Sequence, residues 1–222
     1  TTRRKFLTTA SMGGAAALAT PAIVQAQSTI KWRFQTYAGG ALGEHVTKPV
    51  IDYINANSNG ELQVELFYAD QIVPTGELFQ ALQRGTIDGV HSDDDSMASP
   101  TPLRMFGGYF PFATKHILDV PVLFNQYGLK EIWEEEYAKV GVKWISAAGQ
   151  DPCNFNTKKE ITSVADLDGL RLYSFPTAGR FLAKFGVVPM NIPYEDAEVA
   201  VQTGELDGVC WCGFTEAYEV GW

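Results

Sequence analysis

The side chains best suited to recognising a solute stand where predicted strands end. An acidic run, Asp93–Asp95, follows one strand, and Asp151 stands ahead of a later apolar run. Aromatic residues occupy the same neighbourhoods, and those at strand or loop ends are Tyr37, Tyr173, Phe175 and Trp211. Carboxylates and aromatic faces together suit an amine or a quaternary ammonium group, through ion pairing and cation–π contacts. With His91 added, these residues predict a binding cleft for a small solute.

A plainer interpretation of the acidic run stays open. Two of its three aspartates could cap a helix that begins near Ser96 and Met97, and would then face water. We favour this interpretation for Asp94 and Asp95 taken singly, while at least one acid of the run is expected to face the cleft.

Motifs for catalysis are not found in the sequence. It contains no Gly-x-Ser-x-Gly elbow, no His-Glu-x-x-His helix and no Gly-x-Gly-x-x-Gly phosphate loop. His91 and Asp93 could form an acid–base pair, but they share a strand face and no nucleophile accompanies them. We therefore expect a binding protein rather than an enzyme, with no catalytic residues and no cofactor.

The three cysteines, Cys153, Cys210 and Cys212, form no even disulfide framework. Cys210 and Cys212 lie two residues apart in an apolar run typical of a strand, so both point to the same face. The three histidines lack ligand spacing, so metal binding by this pair is not expected. Buried or cleft-lining thiols are the expectation.

Charge separates the first 26 residues from the rest of the chain. They contain three basic side chains and no acidic one, which takes the −9 of the whole chain to −12 for the remainder. A basic start with Arg3 and Arg4, a short apolar stretch and small residues up to Ala26 predict a cleaved signal peptide of the twin-arginine type. We expect a periplasmic product without direct membrane insertion. The acidic balance argues against nucleic-acid binding.

The elements that must position these residues alternate along the chain. Strands are predicted at residues 30–35, 62–67 and 87–91, and helices at residues 43–57 and 77–84. Within residues 43–57, Val46, Val50, Ile51 and Ile54 form the expected apolar stripe. Such alternation indicates a largely parallel sheet flanked by helices, which is an α/β fold.

An internal repeat gives the strongest structural signal. Residues 74–90 and 193–209 align without a gap at a constant offset of 119, and identical pairs include Pro74/Pro193, Gly85/Gly204 and Asp88/Asp207. Each copy predicts a helix opened by proline and ended by glycine, followed by a short strand. The repeat therefore predicts two related α/β lobes, whose strand ends would meet at one cleft.

Several segments resemble the DctP-type solute-binding proteins of TRAP (tripartite ATP-independent periplasmic) transporters. They match in order over essentially all of residues 27–222, and they are Leu82–Asp88, Pro111–Phe112, Ile161–Leu172, Phe185–Pro189 and Val201–Val209. The resemblance is strongest to the branch that binds 2-oxo acids and related small carboxylates. It implies a two-lobed periplasmic binding protein fold with a hinged ligand cleft.

The resemblance also implies the organisation and the function. Residues 1–26 would be the leader, 27–150 the first lobe and 151–222 the second lobe, incomplete because family members continue further. The protein would capture a small organic solute, by family an organic acid, and deliver it to TRAP membrane subunits. A ligand-sensing periplasmic protein would use the same cleft.

Two departures from the family bear on the ligand. Tyr173 stands where the family usually has an arginine that clamps the ligand's carboxylate, and tyrosine brings no positive charge. Arg171 shares its strand face and is expected to lie further from the cleft. Cys210 and Pro152 occupy the positions of the branch's metal ligands, so no metal is carried over. The residues therefore leave an amine, a zwitterion or a neutral solute open beside the acid.

Overall fold

Short strands alternating with helices build two separate sheets. The computed structural model describes residues 28–108, 113–150 and 152–219. The predicted leader, residues 1–26, lies outside the described residues.

The first sheet is wholly parallel. Its strands are β1 (Ile30–Thr36), β2 (Leu62–Phe67) and β3 (Gly89–His91), in the order β2-β1-β3. Ile30 pairs with Leu62 at one end of β1, and Thr36 pairs with His91 at the other. Because the strands are parallel, their carboxyl ends lie at one edge of the sheet, where Tyr37 and His91 meet.

Five α-helices accompany this sheet in the described residues. They are α1 (Gly40–Leu42), α2 (Lys48–Asn57), α3 (Leu78–Gln83), α4 (Asp119–Gln126) and α5 (Leu129–Lys139). A π-helical turn, Gly43–Thr47, joins α1 to α2. The predicted apolar stripe is partly wrong, because Ile51 is buried while Val46 and Val50 are 46% and 57% exposed. The wider π turn shifts Val46 out of phase, and Val50 stands about 100° from Ile51 around the helix.

The second sheet adds one antiparallel strand to a parallel core. Its strands are β4 (Cys153–Thr157), β5 (Arg171–Tyr173), β6 (Val188–Met190) and β7 (Gly208–Cys212). They lie in the order β4-β7-β5-β6, and β4 runs antiparallel to β7. The helices here are α6 (Pro176–Leu182), α7 (Tyr194–Thr203) and α8 (Phe214–Glu219).

The internal repeat appears as the same local structure in both sheets. Gly85 ends the helical segment before β3 with φ +71°, and Gly204 ends α7 before β7 with φ +82°, a conformation that favours glycine. Asp88 accepts hydrogen bonds from the backbone and side chain of Arg33. Asp207 does the same for Arg171, and each arginine also reaches the carbonyl of its lobe's helix-ending glycine.

Each sheet has its own apolar core. In the first half of the chain Phe79 and Ile87 are at most 1% exposed, and Trp133 and Tyr137 from α5 pack in the same cluster. In the second half Leu206 and Val209 anchor another cluster. The predicted α/β fold with two lobes is confirmed. In the described ranges, no helix combines the length and the apolarity needed to cross a membrane.

Candidate functional site

Tyr37 and His91 come together at the carboxyl edge of the first sheet. The Tyr37 backbone N–H donates to the His91 carbonyl at 2.9 Å, and their rings meet edge to face with centroids 5.6 Å apart. The Tyr37 hydroxyl donates to Oε1 of Gln150 at 3.2 Å. This places Tyr37 beside the segment that leads into the second lobe.

His91 lies in a setting that favours the neutral ring. Its Nδ1 lies 3.0 Å from the Thr36 hydroxyl and 2.9 Å from the Thr47 hydroxyl. Burial lowers the pKa of His91 below its usual 6.5, because desolvation penalises the imidazolium. His91 is therefore suited to hydrogen bonding and packing in its neutral form.

Asp93 organises the turn that follows β3. Its Oδ1 accepts the backbone N–H groups of Asp95 and Ser96, both at 2.9 Å. Burial raises the pKa of Asp93 and outweighs these hydrogen bonds, which act in the opposite direction. A cation placed beside this carboxyl would favour its ionised form.

Asp94 is a core residue, which corrects the expectation that it faces water. It is 5% exposed and accepts the indole N–H of Trp133 at 3.2 Å and the hydroxyl of Tyr137 at 2.5 Å. Desolvation and the neighbouring Asp94 raise the pKa of Tyr137. Buried carboxylates persist only where such donors satisfy them, so Asp94 ties α5 to the turn.

Asp95 is buried as well, and no helix begins at Ser96, where the described chain forms a turn. Its side chain is 1% exposed, and Oδ1 accepts from Nε of Arg104 at 2.7 Å. Its Oδ2 accepts the backbone N–H of Thr177 at 2.7 Å. Thr177 belongs to α6, so this hydrogen bond joins the two lobes. The interpretation that these two aspartates cap a following helix and face water is thus wrong for both, and Asp95 caps α6 of the second lobe instead.

The second lobe contributes a cluster of three aromatic side chains. Tyr173 ends β5, Phe175 precedes α6 and Trp211 lies in β7, and each is at most 7% exposed. Phe175 stacks on Trp211 with centroids 5.0 Å apart, and Tyr173 lies 5.8 Å from Trp211. The structure therefore brings together the three aromatic residues that the sequence nominated for this lobe.

The acidic turn and the aromatic cluster are neighbours across the lobes. Asp95 contacts Thr177, and Phe175 of the cluster stands two residues earlier in the chain. The helices α8 and α1 also approach each other across the lobes. Asp151 lies outside the described residues, so its place in this site stays a prediction, as does the ligand contact of the other six.

Arg171 has a structural role in its own lobe. Its guanidinium forms a two-point contact with Asp207 at 3.0 Å and donates to the Gly204 carbonyl at 3.1 Å. The hydrogen bonds from Arg171 lower the pKa of Asp207 to about 2. Arg33 and Asp88 form the counterpart in the first lobe. Arg171 is therefore engaged away from Tyr173, although both side chains belong to the same strand.

Two of the cysteines form a disulfide, so the expectation of free thiols is wrong for them. Cys153 and Cys212 are register partners on β4 and β7, and their sulfurs are bonded. Their pairing depends on an antiparallel strand that the sequence did not reveal. Cys210 stays a thiol, and burial raises its pKa to about 11. No group of three metal-ligating side chains is found in residues 28–108, 113–150 and 152–219.

A groove of about 780 Å³ lies elsewhere, on the second lobe. It runs along β4 and past the end of α7, with Phe155, Lys158, Val201 and Phe214 among its lining residues. The six described residues nominated for ligand contact do not line it. The chemistry at the lobe boundary, rather than this groove, therefore defines the candidate site.

Sequence reasoning missed four residues that contribute to the site: Arg104, Thr177, Trp133 and Tyr137. Arg104 stands nine residues after Asp95, and that proximity was the one available signal. The N–H of Thr177 is a backbone group that no side-chain motif can reveal. Trp133 and Tyr137 lie one helical turn apart, which indicates a shared face but not the carboxylate they contact.

Two α/β lobes, with the acidic turn of one bonded to a helix start of the other, are typical of two-lobed solute-binding proteins. Residues 39–217 match the family described as bacterial extracellular solute-binding protein, family 7 (DctP), and the chain belongs to this family. The matched relatives are solute-binding receptors and not enzymes.

Three relatives show the range of this similarity. A monocarboxylate 2-oxoacid-binding periplasmic protein of Nostoc sp. is 27% identical over 225 residues, covering 95% of this chain and 60% of that protein. The ectoine-binding periplasmic protein TeaA of Halomonas elongata is 24% identical over 230 residues, covering 97% and 64%. A TRAP periplasmic solute-binding protein of Chromohalobacter salexigens was solved with bound (S)-(+)-2-amino-1-propanol. It is 68% identical with a TM-score of 0.85, covering 88% of this chain and 62% of that chain. The chain thus spans less than two thirds of the length of each.

Proposed function

We propose that this chain is the periplasmic solute-binding receptor of a TRAP transporter and that it captures a small organic solute between its lobes. One observation carries the proposal: the acidic turn of the first lobe meets the start of α6, beside the aromatic cluster of the second. A solute held by both lobes would favour their closure, because it binds the closed form better than the open one. The closed form would then dock on the membrane subunits.

An ammonium group on the solute fits this geometry best. Arg104 is engaged by Asp95 and Arg171 by Asp207, and Tyr173 replaces the expected arginine. Asp93 would supply the carboxylate for the ammonium group, and the buried cluster of Trp211, Phe175 and Tyr173, which packs with Leu206 and Val209, would have to expose an aromatic face to it. The relative that is 68% identical was solved with an amino alcohol, which supports the same class.

An organic acid is the second candidate. It is supported by the Nostoc relative, whose name states that it binds monocarboxylate 2-oxoacids. Two guanidinium groups stand at this lobe boundary: Arg104, paired with Asp95, whose side chain is only 1% exposed, and exposed Arg180, which donates to the Thr177 hydroxyl at 3.0 Å. Drawing Arg104 away from a buried carboxylate is costly, so we expect an acid to rely on Arg180 and to bind more weakly than an amine.

A thermal-shift screen of the full-length protein tests the proposal. The panel would contain amines, amino alcohols, zwitterions and small organic acids at a series of concentrations. A solute at a hundred times its Kd stabilises the folded state by about 2.7 kcal/mol, which is readily seen as a rise in Tm. If no member of a broad panel raises Tm, the chain is not a receptor for such solutes.

Export by a twin-arginine signal is part of the same proposal. Arg3 and Arg4 precede Phe6 and Leu7 in the predicted leader. Replacing both arginines by lysine should leave the precursor in the cytoplasm, which fractionation and immunoblotting would show. Normal export of the doubly substituted protein would mean that another pathway reads the leader.

A further inference from the structure

Helix α6 (Pro176–Leu182) starts without a cap of its own. Phe175 occupies the capping position, and its side chain cannot accept a hydrogen bond. Pro176 follows at the first helical position, so the Thr177 N–H is the first backbone donor of the helix. A helix of this lobe therefore depends on an acceptor from elsewhere.

The missing cap comes from the other lobe. Oδ2 of Asp95 accepts the Thr177 N–H at 2.7 Å, while Oδ1 is bonded to Nε of Arg104 at 2.7 Å. The two residues that meet are 82 positions apart in the chain. A carboxylate that accepts a backbone N–H at a helix start makes a strong hydrogen bond, since the helix dipole adds to the charge.

The turn that carries Asp95 is held independently of the second lobe. Asp93 accepts the Asp95 N–H, Ser99 donates its N–H to the Asp94 carbonyl, and Ala98 adopts φ +53° to close the turn. Arg104 stands in the first lobe and keeps its contact when the lobes separate. Separation would thus cost the protein the Thr177 hydrogen bond and leave the rest of the arrangement intact.

We propose that Asp95 is a latch between the lobes, capping α6 only when they are together and so favouring the closed form over the open one. The inference rests on the proposed function, since it assumes that the lobes part to admit solute. Asp95 is a positioning residue here: it acts on closure and does not touch the solute. Water can satisfy the Thr177 N–H in the open form. The latch therefore shifts the equilibrium towards the closed form without preventing opening.

The test measures closure directly in the full-length protein. Labels at Tyr53→Cys and Val199→Cys report the distance between the lobes, because Tyr53 and Val199 are 69% and 57% exposed on α2 and α7. Cys210 is partly buried with a raised thiol pKa, so it reacts poorly with the label. Asp95→Ala and the milder Asp95→Asn are compared with the unsubstituted protein, with and without 2-amino-1-propanol.

Asp166→Asn is the matched control. Asp166 also accepts backbone N–H groups at the start of a helical turn, those of Thr162 and Ser163, but all three residues lie in the second lobe.

The latch predicts that Asp95→Ala lowers the closed-to-open ratio of the solute-free protein about tenfold, the size expected for loss of a helix cap. Asp95→Asn should lower it less, and Asp166→Asn should leave it unchanged. Affinity for every bound solute should fall by the same factor. An unchanged ratio in both Asp95 variants overturns the latch, as does a single lobe distance in the unsubstituted protein.

Two further outcomes separate the latch from other roles. If only ammonium solutes lose affinity while the solute-free ratio stays the same, Asp95 contacts the solute and the latch is wrong. If the ratio shifts as predicted but no solute binds the unsubstituted protein, the latch stands and the proposed function fails.

Discussion

Replacing Arg171 by alanine should weaken the fold without weakening solute binding. The resemblance to the family implies a carboxylate-clamping arginine at position 173, where this chain has tyrosine, and Arg171 is the arginine on this strand. In the structure its guanidinium contacts Asp207 twice and Gly204 once, all within the second lobe. The prediction separates a structural arginine from a ligand-clamping one.

The size of this loss of stability depends on how exposed the Arg171–Asp207 ion pair is to solvent. The side chains of Arg171 and Asp207 are 44% and 34% exposed, so solvent screens their attraction. The backbone N–H of residue 171 still donates to Asp207 in the variant, so the carboxylate keeps one of its hydrogen bonds. We therefore expect a small loss in the free energy of unfolding, of the size typical of an exposed ion pair. For a chain of this length such a loss lowers Tm by at most a few degrees.

The pH dependence of this loss has a definite sign. The arginine holds the pKa of Asp207 at about 2, below its ordinary 3.8. The contribution is therefore fully present above pH ~4 and disappears as the pH falls through the folded-state pKa near 2. The stability gap between Arg171→Ala and the unsubstituted protein should close over that range.

The chain supplies a matched control in its other lobe. Arg33 makes the same contacts to Asp88 and to the Gly85 carbonyl. Urea unfolding and calorimetric titration of Arg33→Ala and Arg171→Ala should show similar losses of stability and unchanged solute affinity. If Arg171→Ala alone loses affinity tenfold or more, Arg171 contacts the solute and our structural assignment is wrong.

Three further predictions concern the site and the fold. Asp93→Asn should weaken binding of an ammonium solute by at least tenfold while a neutral analogue binds as before, and equal losses for both would contradict a charge contact. Reduction of the Cys153–Cys212 disulfide, which closes a separation of 59 residues, should cost about 2–4 kcal/mol in urea unfolding. Cys210→Ser should respond to reductant as the unsubstituted protein does, and loss of that response would refute the pairing. The free energy of unfolding should fall as pH drops below 6.5, because unfolded His91 binds a proton that the buried ring resists. His91→Gln should flatten this slope, and an unchanged slope would assign it to another group.

Local patterns made much of the fold predictable. The unit opened by Pro74 and ended by Gly85 depends on neighbours within a few residues, and so does its copy at residues 193–209. Strand β2 was predicted with its observed bounds, because its alternating pattern reports directly on one buried face. The repeat predicted two lobes for the same reason, because each copy specifies its own helix and strand through neighbouring residues.

Contacts between distant segments were not predictable. The Cys153–Cys212 bond requires the antiparallel register of β4 on β7, which nothing near either cysteine encodes. Asp94 and Asp95 looked like surface acids because most aspartates are exposed. Their burial depends on donors from α5, from Arg104 and from the second lobe, which become neighbours only in the folded chain.

Isothermal titration with three small three-carbon solutes tests the central claim most directly. 2-Amino-1-propanol carries an ammonium group, 1,2-propanediol replaces it by a hydroxyl, and lactate carries a carboxylate. We predict that 2-amino-1-propanol binds, that the diol binds at least tenfold more weakly and that lactate binds weakest. Tighter binding of lactate than of the amino alcohol would contradict the account of an ammonium site between the lobes.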